Sequence, residues 1–175
     1  MALASLILSA LALIVVTYYT LETVRIRQTA QQQMEISVMP MFAVYVYQHD
    51  GHRRLRLKNV GLGTAFNLSI NKPKWGDQSI EFMYDNHNVM QPKQRRNLLL
   101  HHDLGGHTGT RIDSADLLYE WINKEKIPDP LRVVVECESI YQTRYQFVFH
   151  FMTGNDFRLK IALSDVKSLP KQKRK

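Results

Sequence analysis

The chain opens on an uncharged run, Met1 to Leu21, that holds no Asp, Glu, Lys, Arg, His, Gly or Pro; Glu22 is the first charged side chain, followed by Arg25 and Arg27. At about 1.5 Å of rise per residue, some 20 helical residues reach the roughly 30 Å of a bilayer's hydrocarbon core. The pattern therefore predicts a transmembrane helix over residues 1–21. Leu21, Val24 and the polar run Gln28 to Gln33 follow without Gly or Pro, so a helical juxtamembrane stalk is expected over residues 22–34. Its glutamines leave unfilled the apolar a and d positions that a coiled coil repeats over several heptads.

Beyond Pro40 the period shortens. Phe42 to Tyr47 is rich in valine and aromatics, and Asp50-Gly51 is a strong hairpin dipeptide ahead of Leu55-Arg56-Leu57-Lys58. That alternation puts Leu55 and Leu57 on a buried face, with Arg54, Arg56 and Lys58 toward solvent. Phe66, Leu68 and Ile70 share one face of the next strand, and further strands are expected at Ser79 to Met83, Asn97 to His101, Leu131 to Glu138, Tyr145 to Met152 and Phe157 to Leu163. About seven or eight short strands at this spacing predict a mainly β protein, an antiparallel β-sandwich over residues 35–164. Asp113 to Lys124 differs: a capping residue and acids open it, a lysine closes it, and Leu117, Leu118, Trp121 and Ile122 recur at helical spacing. One short inserted amphipathic helix is expected there, laid over the sandwich with Trp121 in its core face and stopped before Pro128.

A secretory signal peptide is the rival to an anchor, since Ala10-Leu11-Ala12 has the small-residue pattern of a cleavage site. No Lys or Arg precedes the run, however, and Leu13, Ile14, Val15 and Val16 carry it further, so an uncleaved anchor is expected. Tyr18 and Tyr19 fall where the helix would leave hydrocarbon, a layer that suits amphipathic rings. Arg25 and Arg27 follow the span closely, and the positive-inside rule then places the C-terminal domain in the cytoplasm of a single-pass protein of the cell inner membrane. The single cysteine, Cys137, agrees with a reducing compartment.

Setting the anchor aside leaves about 150 residues, enough for one domain with a real core. The formal net charge is +7, but Lys167, Lys171, Lys173, Arg174 and Lys175 supply five positive charges within the last nine residues, so the folded part is only mildly basic. Residues 165–175 are expected to form a basic disordered tail, either drawn to anionic headgroups at about 1 kcal/mol per cation or simply solvated. Nucleic acid is not an expected partner, because no base-stacking aromatics are interleaved with that cluster.

Leu57 to Ile70 contains the sequence Asn59-Val60-Gly61-Leu62-Gly63-Thr64-Ala65-Phe66-Asn67. It resembles a pattern of uncharacterised bacterial small membrane-anchored proteins, in which a strand ending in Asn-x-Gly-x-Gly-x-Ala-x-Asn leads into the next strand of an immunoglobulin-like sandwich. The stalk from Leu21 to Gln33, the Pro-centred turn Met90-Gln91-Pro92-Lys93 and the aromatic hairpin Val133 to Met152 match the same family, which implies an immunoglobulin-like β-sandwich here. Physically, Gly61 and Gly63 are expected to permit positive φ at a sharp connection, Ala65 to allow close packing, and the asparagines to bond local backbone. The stretch is not a nucleotide loop: a third glycine, a following helix and a phosphate-holding Lys-Ser or Lys-Thr pair are all missing.

His101-His102-Asp103, with His107 nearby, supplies ligands suited to zinc, but adjacent histidines on a strand point to opposite faces. A solvated loop is the expected reading, and no metal or cofactor is assigned. A metal-dependent enzyme around His101, His102 and His107 stands third among the functional readings. Cys137 shares strand parity with Val133 and Val135 and reads as an inert core thiol, with Glu136 and Glu138 facing solvent. Arg53, Arg54, Arg56 and Lys58 form a basic strip, and Lys93, Arg95 and Arg96 a second. Together with Lys171, Lys173, Arg174 and Lys175 they are the candidate contacts for anionic lipid or an acidic partner, although alternating cations also guard a strand against edge pairing. The sequence thus points to a non-enzymatic interaction or sensor module held at a lipid bilayer for an unidentified protein partner, with an accessory subunit of a larger bacterial defence or envelope complex as the second reading.

Overall fold

The computed structural model describes residues 2–75, 78–84, 88–103, 110–112, 115–124, 130–154 and 158–169. It divides into two compact units, Met1–Ser37 and Val38–Lys175. The first is a single helix, α1 (Ala2–Ser37), long and apolar enough to cross a membrane. Three of its threonine hydroxyls are satisfied within the helix: Thr17, Thr20 and Thr23 donate to the carbonyls of Leu13, Val16 and Tyr19 at 2.8, 2.8 and 2.7 Å. Back-bonding of this kind is what a hydrocarbon surrounding demands of a polar side chain.

The second unit is β1 (Phe42–His49), β2 (His52–Asn59), β3 (Phe66–Ile70), β4 (Lys74–Trp75), β5 (Gln78–Met83), β6 (Arg95–Asp103), β7 (Thr110–Ile112), α2 (Ala115–Asn123), β8 (Leu131–Glu138), β9 (Arg144–Thr153) and β10 (Leu159–Leu169). One antiparallel sheet runs β1-β2-β6-β5-β4, with β7 also paired to β6; the other runs β10-β9-β8-β3. The hairpin dipeptide sets the first register. Asp50 and Gly51 sit at φ 52° and 77°, the left-handed pair that a type I′ turn needs, so His49 opposes His52. Alternation then buries Leu55 and Leu57 from one sheet and Val133, Val135, Phe147, Phe149 and Phe151 from the other in one core. Edge-on contact of Phe42 with Phe147, ring centres 5.1 Å apart, and tilted contact of Phe82 with Phe151 at 6.0 Å join the two sheets. Helix α2 adds Ala115, Leu118 and Ile122 to that core, with Trp121 packed against it; Asp113 and Ser114, its expected start, lie outside the described residues.

Three features depart from the sequence reading. The short strands β4 and β7 carry too little pattern to be seen. β10 runs on to Leu169, into the segment expected as tail, because a bulge between Leu163 and Asp165 skips one residue and returns Val166 to the face of Phe147. The glycines act through size rather than dihedral freedom: Gly51 is the one described glycine with positive φ, and a Cβ on Gly61 or Gly63 would overlap the backbone of Met39 or Val38. The left-handed residue of the motif is Asn67, at φ 49° beside a register shift in β3.

Asn59, fully buried, ties this connection together. Its Oδ1 accepts from the Met41 and Gly61 amides at 3.3 and 3.1 Å, and its Nδ2 donates to the Gly63 and Met90 carbonyls at 2.8 and 3.1 Å. Asn59→Ala is expected to lower unfolding free energy by about 2–4 kcal/mol, since buried backbone groups lose partners. Urea denaturation measures this, and a change within experimental error would remove Asn59 from that role.

Candidate functional site

Directly opposed residues of an antiparallel pair share a face. With Leu55 and Leu57 inward, the outward face of β1, β2 and β6 therefore carries the rows Ala43, Lys58, Arg95 and Tyr45, Arg56, Asn97, with Tyr47 and Arg54 beyond them. Arg56 is locked in place: its guanidinium carbon lies 3.6 Å from the centre of the Tyr47 ring, and its Nε donates to Asn97 Oδ1 at 3.1 Å. The Tyr47 hydroxyl donates to the same oxygen at 3.0 Å, so one amide fixes both the cation and the ring it stacks on. The Nε of Arg54 is enclosed without an acceptor. Lys58 and Arg95, like charges set directly opposite, have no acidic partner among the described residues. Such a pair destabilises a sheet unless an anion comes to it. Glu81, which shares this side of the sheet across from His101, is engaged by Lys72 at 3.7 Å.

The other basic residues part from this group. Arg53 bonds Asp116 of α2 at 3.3 Å and lines a cleft of about 300 Å³ with Gln48, Arg158 and Leu159. Arg96 has the parity of Leu98 and Leu100 and points into the core, 4% exposed, where it donates to the Val89 carbonyl and lies 5.7 Å from the Tyr84 ring. Burial pushes the Tyr84 hydroxyl's pKa up, with Arg96 pulling the other way, and that hydroxyl donates to the Leu68 carbonyl. Arg96 is thus a structural cation. Lys93 sits in the turn before β6, at φ 64°, its amide donating to the Asn59 carbonyl at 2.9 Å. Lys171, Lys173, Arg174 and Lys175 lie outside the described residues. The signal that separates Arg96 from its neighbours was present as the alternation Arg96, Leu98, Leu100.

Register places His101 opposite Glu81 and His102 opposite Ile80, on opposite faces of β6, while His107 lies outside the described residues. Among the described residues no three His, Cys, Asp or Glu side chains gather as a metal site. Glu136 is held by Arg144 at 3.1 Å and Gln146 at 2.9 Å, and Glu138 accepts from Asn67 Nδ2 at 2.7 Å. Cys137 is buried, and its pKa is pushed up to about 12, first by burial and then by the Glu138 carboxylate.

A thiol held that high is neutral at any physiological pH. From an ordinary value of about 8.5, the shift lowers the thiolate fraction at pH 8 on the order of a thousandfold. Iodoacetamide is therefore expected to label Cys137 only after denaturation, with intact mass as the readout; rapid labelling of the folded chain would contradict the burial. The unfolded thiol ionises first, so stability from this site is present below about pH 8.5 and is lost as pH rises toward 12.

A family model described as a domain of unknown function, DUF8453, matches residues 1–155, from α1 through β9. No curated protein and no solved structure matches the chain.

Proposed function

The chain belongs to the DUF8453 family of unknown function, and from that premise we propose that it is a single-pass membrane protein whose β-sandwich is a non-catalytic interaction module for an acidic protein surface. The observation that carries this reading is the outward face of β1, β2 and β6. Arg54, Arg56, Lys58 and Arg95 lie there within two adjacent strands, flanked by Tyr45 and Tyr47, and Arg56 is oriented before any partner arrives. A cation already fixed by stacking and a hydrogen bond loses little side-chain entropy on binding. Strand order supports an immunoglobulin-like sandwich: β1-β2-β6-β5 facing β3-β8-β9 follows the ABED and CFG arrangement. Arg25 and Arg27, just beyond the apolar run, favour a cytoplasmic domain on the inner membrane.

Tethering through α1 makes modest affinity sufficient, because partners confined to the same surface meet at high effective concentration. Crosslinking with mass spectrometry in native membranes tests the proposal. A photo-crosslinking residue in place of Tyr45, on this face, is expected to capture a partner. The double variant Arg54→Glu, Arg56→Glu is expected to lose that capture at unchanged melting temperature, and capture that survives in that variant would overturn the reading. A neighbour recovered near stoichiometrically under all conditions would identify the chain as an accessory subunit of a larger complex.

A further inference from the structure

Among the described residues of the second unit, nine large apolar side chains are exposed, and six of them lie at one end of the sandwich. Met41 precedes β1, Val60 and Leu62 follow β2, Val89 precedes the bridge between Met90 and Ala65, and Ile140 and Tyr141 form the turn between β8 and β9. The pairs Lys58 with Arg95, Phe66 with Glu138 and Glu138 with Arg144 bring these loops to a common end. Leu62 and Ile140 are its extremes, 72% and 65% exposed. Single exposed apolar residues are ordinary, but their concentration at one end marks a contact surface.

Charge narrows the occupant. Segments 38–41, 59–65, 88–94 and 139–143 contain no Asp or Glu and include Lys93, with Lys58 and Arg95 next to them; the bordering Glu138 is taken up by Asn67 Nδ2 at 2.7 Å. The chain also enters here: the Val60 and Gly61 amides donate to the Met41 carbonyl at 2.7 and 3.2 Å, four residues after α1 ends. At about 1.5 Å per residue, the helical stretch from Glu22 to Ser37 spans at most about 24 Å. The pairing of Leu169 with Arg144 brings β10 out at the same end, and Lys171, Lys173, Arg174 and Lys175 follow it in sequence. Exposed leucine and isoleucine ringed by cations match the apolar boundary and anionic headgroups of a bilayer. An acidic protein seated on the Arg54 and Arg56 part of the basic face would leave Leu62 and Ile140 wet, so this end needs an occupant of its own.

We propose that this end is a membrane-docking surface: Val60, Leu62, Ile140 and Tyr141 enter the headgroup layer, while Lys58, Lys93 and Arg95 engage anionic lipid. The proposal rests on reading α1 as an anchor. Its test is the full chain carrying Leu62→Cys, labelled with an environment-sensitive fluorophore that buried Cys137 does not take up. The labelled chain is reconstituted into phosphatidylcholine vesicles with and without phosphatidylglycerol. His52→Cys, at the opposite hairpin tip, is the reference. With anionic lipid the probe at position 62 is expected to shift blue and resist iodide quenching, while the one at position 52 does not. Each cation is worth roughly fivefold in partitioning, so adding Lys58→Glu with Arg95→Glu, or raising salt, restores quenching.

Equal quenching at both positions, in a chain that survives a carbonate wash on its vesicles, overturns docking alone. A chain that washes off overturns the anchor as well. A probe at position 62 that dries only when membrane protein is added back assigns the surface to a protein partner and overturns the proposal.

Discussion

One buried amide organises the end of the sandwich on which the functional readings depend. Asn59 uses both acceptor positions of its Oδ1 and both hydrogens of its Nδ2, and its own backbone pairs with Lys93 and Gln94. At a position closed to solvent every one of those groups would be costly left alone, so the four segments of chain around Asn59 are held in one arrangement. They are the entry segment at Met41, the loop at Gly61 and Gly63, the bridge residue Met90, and the turn before β6. The glycines serve the same constraint, since any side chain at Gly61 or Gly63 would push the entry segment away.

That arrangement sets the register of β2 against β6, and the register decides which charges meet. Leucines alternate with cations along β2, so the pairing that buries Leu55 and Leu57 also places Arg56 beside Asn97 and Lys58 beside Arg95. The core and the basic face are two sides of one alternation, and a slip by one residue would exchange them. Burial of the leucines, at roughly 1.5–3 kcal/mol each, outweighs the repulsion of an exposed like-charge pair, which is within about 1 kcal/mol. The fold therefore tolerates a face that the isolated domain does not neutralise.

Much of this architecture is legible in the sequence. The eight longer strands, the Asp50-Gly51 hairpin and the α2 segment follow from local period and turn chemistry, because each is dictated by residues within a few positions of one another. β4 and β7 escape notice since two or three residues hold no period, and β10 reads short in the sequence because a bulge breaks its alternation at Ser164. The basic strips were visible as clusters, but linear proximity grouped Arg53 with Arg54 and Arg96 with Arg95, although successive strand residues face opposite ways. Long-range partners complete the separation: Asp116 draws Arg53 to α2, and Tyr84 and Val89 receive Arg96 in the core.

What the sequence alone determined is the uncharged, span-length helix, the mainly β second unit, the inert thiol of Cys137 and the parity of β2, all of them properties of neighbouring residues. The tertiary structure decided which cations share a face, which arginine is structural, and that Leu62 and Ile140 emerge at the end where the chain enters. Those outcomes depend on contacts between residues far apart in the chain, such as Asn59 with Met90 and Phe66 with Glu138. Side-chain exposure at such a site is set by what the folded chain leaves uncovered, which no local pattern encodes.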